Sequence, residues 1–185
     1  MHNVKIPRCF KPDNFVIVKK IEVHHFSDAS SEGYGQCSYL RLLNEDDKAH
    51  CSFVVGKTRV APLKQVSIPR LELTAATVSA KMSSFLRDQL EYPEMTDFFW
   101  TDSQVVLGYV TNEARRFQVF VANRIQLIRD LTDVNSWFYV RTDQNPADDA
   151  TNGLTAKQLL EESVWLKGPQ FLWRDGPFHK LHYLP

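Results

Sequence analysis

The sequence predicts an α/β domain, a mixed five-stranded sheet in the order β-β-β-α-β-α-α-β-α with helices on both faces. Three observations predict it. Apolar runs of strand length recur beside stretches of helical periodicity. The first three runs are separated only by turns and polar loops, which suits antiparallel pairing, whereas the later runs alternate with helices. At 185 residues, 43% hydrophobic and 24% charged, the chain is long enough for one core and too short to require two.

The elements follow in order. Residues 1–20 carry Pro7, Pro12 and mixed charges with little periodicity, which suggests a leader or the end of a preceding domain. Strands are expected from Glu22 to Ser30, from Tyr34 to Leu43 and from Ala49 to Lys57, with Asn44-Glu45-Asp46-Asp47 as the loop of a hairpin. His24 and His25 are expected just ahead of the first strand as packing or surface residues. A helix should then run from Ser67, a capping residue, and Pro69 in the first turn up to the break at Pro93. Its inner face would carry Leu71, Thr74, Ala75, Val78, Met82, Phe85 and Leu86, with Glu72 in the first turn. Thr96 to Thr101 reads as a buried strand. Asp102-Ser103 opens the next helix, with Val105, Val106 and Tyr109 inward, and a longer helix spans about Arg116 to Leu131. Trp137 to Val140 makes the fifth strand, and a last helix starts near Ala147 to Ala150 after Pro146. The boundaries are therefore 1–20, 21–153 for the domain, and 154–185 for a C-terminal helix and aromatic tail carrying Trp165, Phe171, Trp173, Phe178 and Tyr183.

Bulk composition removes several classes. Lys plus Arg and Asp plus Glu both number 22, so attraction to a polyanion would need a local basic face. Cys9, Cys37 and Cys51 are odd in number and lack paired metal-ligand spacing, which argues against a zinc site or a disulfide scaffold and for a reducing compartment. Cys37 and Cys51 read as small buried thiols on adjacent strands. No apolar run approaches the roughly 18 residues of a membrane span, and the Met1 end lacks a signal-peptide core. A membrane-free, intracellular location, cytoplasmic or nuclear, is expected.

Four carboxylates stand where an apolar strand ends or a helix begins: Asp28, Glu72, Asp102 and Asp148. Such positions let a mixed α/β fold bring acids from distant segments to one point. Four clustered acids repel one another unless cations hold them. Oxygen-only donors suit Mg²⁺ or Mn²⁺, and a pair of such ions about 3.5–4 Å apart is the usual machinery for cutting a phosphodiester. Asp102, Glu72 and Asp148 could each instead serve only a helix N-terminus.

The segments Phe26-Ser27-Asp28-Ala29-Ser30, Ser67-Ile68-Pro69-Arg70-Leu71-Glu72-Leu73, Trp100-Thr101-Asp102-Ser103-Gln104-Val105-Val106-Leu107 and Asn145-Pro146-Ala147-Asp148 together resemble the ribonuclease H domain of BEL/Pao-type LTR retrotransposon polyproteins. Lys57-Thr58-Arg59-Val60-Ala61-Pro62, Phe120-Val121-Ala122-Asn123-Arg124-Ile125 and Trp165-Leu166-Lys167-Gly168-Pro169 extend the match, in order, over about residues 5–173. The resemblance implies the ribonuclease H-like fold, two Mg²⁺ ions with Mn²⁺ as a substitute, and hydrolysis of the RNA strand of an RNA–DNA hybrid during reverse transcription. It also implies a polyprotein segment between reverse transcriptase and integrase domains. Asp28 would bridge both ions, Glu72 and Asp102 would complete the leaving-group site, and Asp148 the water site. Asp149 is a rival to Asp148, which is preferred because the resemblance places the ligand directly after Pro-Ala.

Substrate contacts are expected from Arg59 and Arg70, with Lys57, Lys64 and Arg115-Arg116 nearby, and from Ser30, Ser103 and Gln104 beside the acids. Turn and cap duties would account for the serines nearly as well. The chain departs from the family pattern in having no histidine from Arg141 to Ala147 and in reading Thr151-Asn152-Gly153 where Ser-Arg-Gly is usual. The competing function is a catalytically inactive nucleic-acid-binding or tethering domain of a decayed or domesticated retroelement. An integrase or resolvase of the same fold is disfavoured by the fourth acid and by the acidic helix following three strands.

Overall fold

The computed structural model describes residues 9–13, 15–90, 92, 94–112, 117–161 and 163–177. Three antiparallel strands open it: β1 (Val18–Ala29), β2 (Gly33–Asn44) and β3 (Ala49–Val60). Helix α1 (Ile68–Gln89) leads to β4 (Met95–Thr101), then α2 (Gln104–Thr111), α3 (Val119–Leu131) and β5 (Trp137–Tyr139). Two short helices, α4 (Pro146–Asn152) and α5 (Ala156–Glu161), and a 3-10 turn over Gln170–Trp173 complete the chain. The sheet order is β3-β2-β1-β4-β5, with β1 parallel to β4 and β4 parallel to β5. The expected element order is present, with longer opening strands, and α5 falls within 154–185, where a C-terminal helix was expected. Pro93, Arg115-Arg116, Phe178 and Tyr183 lie outside the described residues.

Alternation along β1 divides the core between two faces. On one, Phe99 and Trp137 meet Leu73, Ala76 and Ala80 of α1, Val106 and Val110 of α2, and Val121, Ile125 and Ile128 of α3. On the other, Phe26 and Trp100 stack and are covered by Ala147, Phe171 and Leu172. Phe15 from the leader segment is buried with Val23 and Leu86. Small residues on the inner face of α1 let the helix sit close to the sheet.

The structure corrects three expectations, two of them through helical phase. Phe85, placed inward by the sequence, is 54% exposed, because the buried stripe runs through Ala76, Ala80 and Ser83 to Leu86. Val105 is likewise exposed, and Val106 with Val110 forms the inner side of α2. His24 and His25 lie inside β1 and are fully buried. His24 stacks on Phe98 and accepts from Trp100 Nε1 at 3.1 Å, whereas His25 joins Ser38 Oγ at 2.8 Å to Asp97 Oδ1 at 3.1 Å. Cys37 and Cys51 are buried and free on β2 and β3; burial pushes both thiols up, Cys51 to about 12.

The C-terminal segment is tied down by a buried cation. Arg41 donates to Glu22 Oε2 at 2.6 Å and to the carbonyls of Leu172 (2.8 Å), Arg174 (2.6 Å) and Gly176 (2.8 Å). Burial alone would raise the Glu22 carboxyl, but the hydrogen bond and charge of His24, with Lys20 and Arg41, hold it at about 2. Gly168 has φ +74° with the Tyr39 ring 3.0 Å from where a Cβ would stand, so only glycine fits that turn. Among the described residues no helix is long and apolar enough to cross a membrane.

Candidate active site

Adjacent parallel strands set the first two acids. Ser27 of β1 pairs with Thr101 of β4, so Asp28 and Asp102 emerge side by side at the C-terminal end of the sheet. Helix α2 is capped by Ser103, whose Oγ accepts from Val106 N at 3.3 Å; Asp102 is thereby free of capping duty. Glu72 lies just beyond the first turn of α1, one position later than expected, and accepts from Ser103 Oγ at 2.7 Å. Ser67 occupies the N-cap position of α1 without a side-chain cap bond. Asp148 sits in the first turn of α4, which Asn145 caps by accepting from Ala147 N at 3.2 Å.

Electrostatics tie the four together. Burial, with the charges of Asp102 and Asp148, pushes the Asp28 carboxyl up to about 6, against the lowering donations of Thr151 and the Ala29 backbone. Burial and Asp102 raise Glu72, and burial, Asp102 and Asp149 raise Asp148. Asp102 is thus the common neighbour whose field reaches the other three. Asp149 instead accepts from Ser163 Oγ at 2.5 Å, turned toward the C-terminal segment.

Each carboxylate is also held by a neutral donor. Thr151 Oγ1 donates to Asp28 Oδ2 at 2.5 Å, Thr142 Oγ1 to Asp102 Oδ2 at 2.7 Å, and Asn152 Nδ2 to Asp148 Oδ1 at 2.9 Å. Asn145 Nδ2 reaches Asp102 Oδ1 at 3.4 Å and Ser27 O at 3.2 Å. Sequence reasoning missed this ring of donors. The available signals were the Asn145-Pro146 start of α4 and the spacing of Thr151 and Asn152, three and four residues past Asp148. In this arrangement, among the described residues, no three His, Cys, Asp or Glu side chains stand close enough to hold one ion. The donor set nevertheless fits a hard divalent cation: it is all oxygen, and three of its members are pushed toward protonation by burial and repulsion that a cation would relieve.

The expected substrate contacts divide. Ser30 Oγ donates to Thr151 O at 3.1 Å and accepts from Glu32 N at 3.2 Å, and Ser103 serves α2 and Glu72, so both hydroxyls are engaged within the protein. Gln104 is exposed at the start of α2. Arg59 is exposed on β3 opposite Tyr34, one row beyond Asp28 in the sheet. Arg70 is exposed, donates to Gln118 Oε1 at 2.8 Å and lies 5.3 Å from the Phe120 ring centroid. Lys57 and Lys64 are exposed.

Comparison with known proteins adds a family. A model of the Pao retrotransposon-like RNaseH-like domain matches residues 1–103. No curated protein matches. Among solved structures, RNase H1 from the halophilic archaeon Halobacterium salinarum NRC-1 is 13% identical, with 78% of this chain and 99% of that one covered at a TM-score of 0.45. The N-terminal RNase H domain of Rv2228c from Mycobacterium tuberculosis, solved as a fusion with maltose-binding protein, is 12% identical, covering 72% and 92% at 0.49. LC11-RNase H1 in complex with an RNA/DNA hybrid is 11% identical, covering 76% and 99% at 0.48.

Proposed function

The chain belongs to the Pao retrotransposon-like RNaseH-like domain family, with the ribonuclease H-like α/β fold, and from that premise we propose that it is a metal-dependent endoribonuclease cutting the RNA strand of RNA–DNA hybrids during reverse transcription. One observation carries the reading: the pairing of Ser27 with Thr101 sets Asp28 of β1 beside Asp102 at the end of β4, and Glu72 of α1 and Asp148 of α4 lie near enough for the Asp102 charge to raise their carboxyls. Those four carboxylates would hold two Mg²⁺ ions, with Mn²⁺ able to substitute, and the bound ions supply Lewis acidity at the attacking and departing oxygens. Asp28 would serve as the shared ligand, Glu72 and Asp102 would hold the ion on the leaving-group side, and Asp148 would hold the ion on the water side, Asp149 being turned toward Ser163. Thr151, Ser103, Thr142, Asn145 and Asn152 orient the carboxylates. Arg59 and Arg70 would meet phosphates, and Gln104 sugar or base edges. Water adds to phosphorus while the bond to the 3′ oxygen breaks, leaving a 5′ phosphate and a 3′ hydroxyl. Residues 21–153 would form the catalytic unit of an intracellular polyprotein, between reverse transcriptase and integrase domains.

A second reading, a binding or tethering module without catalysis, is favoured by one feature: each acid already has a protein donor, and among the described residues no three assemble around one point. The two separate in one assay. The chain is incubated with labelled RNA–DNA hybrid, single-stranded RNA and duplex DNA, with and without Mg²⁺, beside Asp102→Asn. Hybrid-specific RNA cleavage requiring both the ion and Asp102 is expected. Hybrid binding without a cut in the parent chain would establish the tether instead.

A further inference from the structure

A second groove lies away from the acids. It has a volume of 670 Å³ and is walled by β3, α1 and α3, with Lys57, Arg59, Lys81 and Arg124 around it. Among the described residues no acidic side chain lines it, although the whole chain carries as many acids as bases, 22 each. Among the described residues Lys57, Arg59 and Lys81 enter no ion pair. Among the described residues Arg124 is held by neutral groups: it donates to Thr74 Oγ1 at 3.2 Å and Phe120 O at 3.2 Å, with its guanidinium 3.5 Å from the Phe120 ring centroid. Four cations thus line one groove with no answering anion among the described residues.

Beside these cations the groove has an apolar lining. Val78, Met82 and Phe85 of α1 and Leu127 of α3 supply it, among polar neighbours such as Thr77 and Asn123, and Phe85 is exposed. A duplex presents mainly sugar and phosphate to such a groove, which would leave that lining unused. An unpaired strand offers both halves of the match, phosphates for the cations and base faces for the apolar lining. The groove is also distinct from the acid cluster. Lys81 follows Glu72 by nine residues, about 13 Å along α1 and about half a turn round it, so the two point to opposite sides of the helix.

We propose that this groove binds a single-stranded segment of nucleic acid, its backbone against Lys57, Arg59, Lys81 and Arg124 and a base against Phe85. The choice of nucleic acid over other polyanions rests on the function proposed above. Such a site would hold an unpaired strand beside the hybrid during cutting.

The test is fluorescence anisotropy with a fluorescein-labelled 12-mer oligo(dT), the matching single-stranded oligo(rU), and a 12-bp duplex DNA, all in EDTA. Both single strands should bind more tightly than the duplex, with log K falling against log salt at a slope of about −3 if all four cations neutralise phosphates. Lys81→Glu should weaken single-strand binding at least ten-fold, and Phe85→Ser by roughly 5- to 150-fold, as loss of one base–aromatic stack predicts. Both positions are exposed, and an unchanged urea midpoint confirms that each variant is folded. Unaltered affinity in folded variants would overturn the assignment, as would equal binding of duplex and single strand that ignores Phe85→Ser. A parent chain that cuts hybrid but fails to bind the 12-mers sinks only this inference. One that binds them through Lys81 and Phe85 but never cuts hybrid sinks only the nuclease reading.

Discussion

Replacing Asp28 by asparagine should make the metal-free protein more stable while ending catalysis. Asp28 is 7% exposed, and its carboxyl is pushed from 3.8 up to about 6, by burial first and then by Asp102 and Asp148. A carboxyl whose proton is held more tightly in the fold than in the unfolded chain penalises the fold once ionised. The penalty is absent below about 3.8, grows as pH rises between the two values, and is complete above about 6. That gap corresponds to about 3 kcal/mol at neutral pH, and roughly half of it remains at pH 5. Asparagine keeps an oxygen to accept from Thr151 and carries no charge, so it escapes the penalty. Urea denaturation in EDTA should therefore show Asp28→Asn ahead of the parent by up to about 3 kcal/mol at pH 7.5, by about half that at pH 5, and by little near pH 3. Mg²⁺ should stabilise the parent by mass action and the variant much less. An advantage that does not change with pH, or a variant less stable at pH 7.5, would refute the electrostatic argument.

Thr151→Ala removes the hydroxyl that lowers Asp28, so burial and the neighbouring acids should push that carboxyl higher. Hybrid cleavage should then fall more at pH 6 than at pH 8, and an equal loss at both would count against the role assigned to Thr151. Arg41→Ala leaves Glu22 buried without its guanidinium partner and strips a donor from three carbonyls of the C-terminal segment. A loss of about 3–5 kcal/mol by urea denaturation is expected, with faster proteolysis within residues 163–177. A change below about 1 kcal/mol would show that the tail is held by other contacts.

Much of the fold was legible because strands and helices announce themselves through local alternation. The stretches around Tyr39 and Phe99 are rich in apolar side chains, and Pro69, Ser103 and Pro146 mark helix starts through backbone chemistry that any context preserves. Helical phase was less legible. Phe85 and Leu86 are equally apolar neighbours, and only the position of α1 on the sheet decided that Leu86 goes in and Phe85 out. His24 and His25 were misplaced for a related reason. Polar side chains are tolerated in a central strand when partners from Ser38, Asp97 and Trp100 meet them, and those partners are 13 to 76 positions away.

The sequence by itself determined the element order, the four acids at element ends and the absence of a global charge bias, since each follows from residue type and near-neighbour spacing. Only the tertiary structure decided that Asp102 is the charge the other acids share, that Thr151 and Asn145 hold them, and that four cations gather beside an apolar lining. Those facts depend on which segments lie side by side after β1 pairs with β4 and α1 packs against α3, and electrostatic energy depends on distance through space, which separation along the chain does not encode.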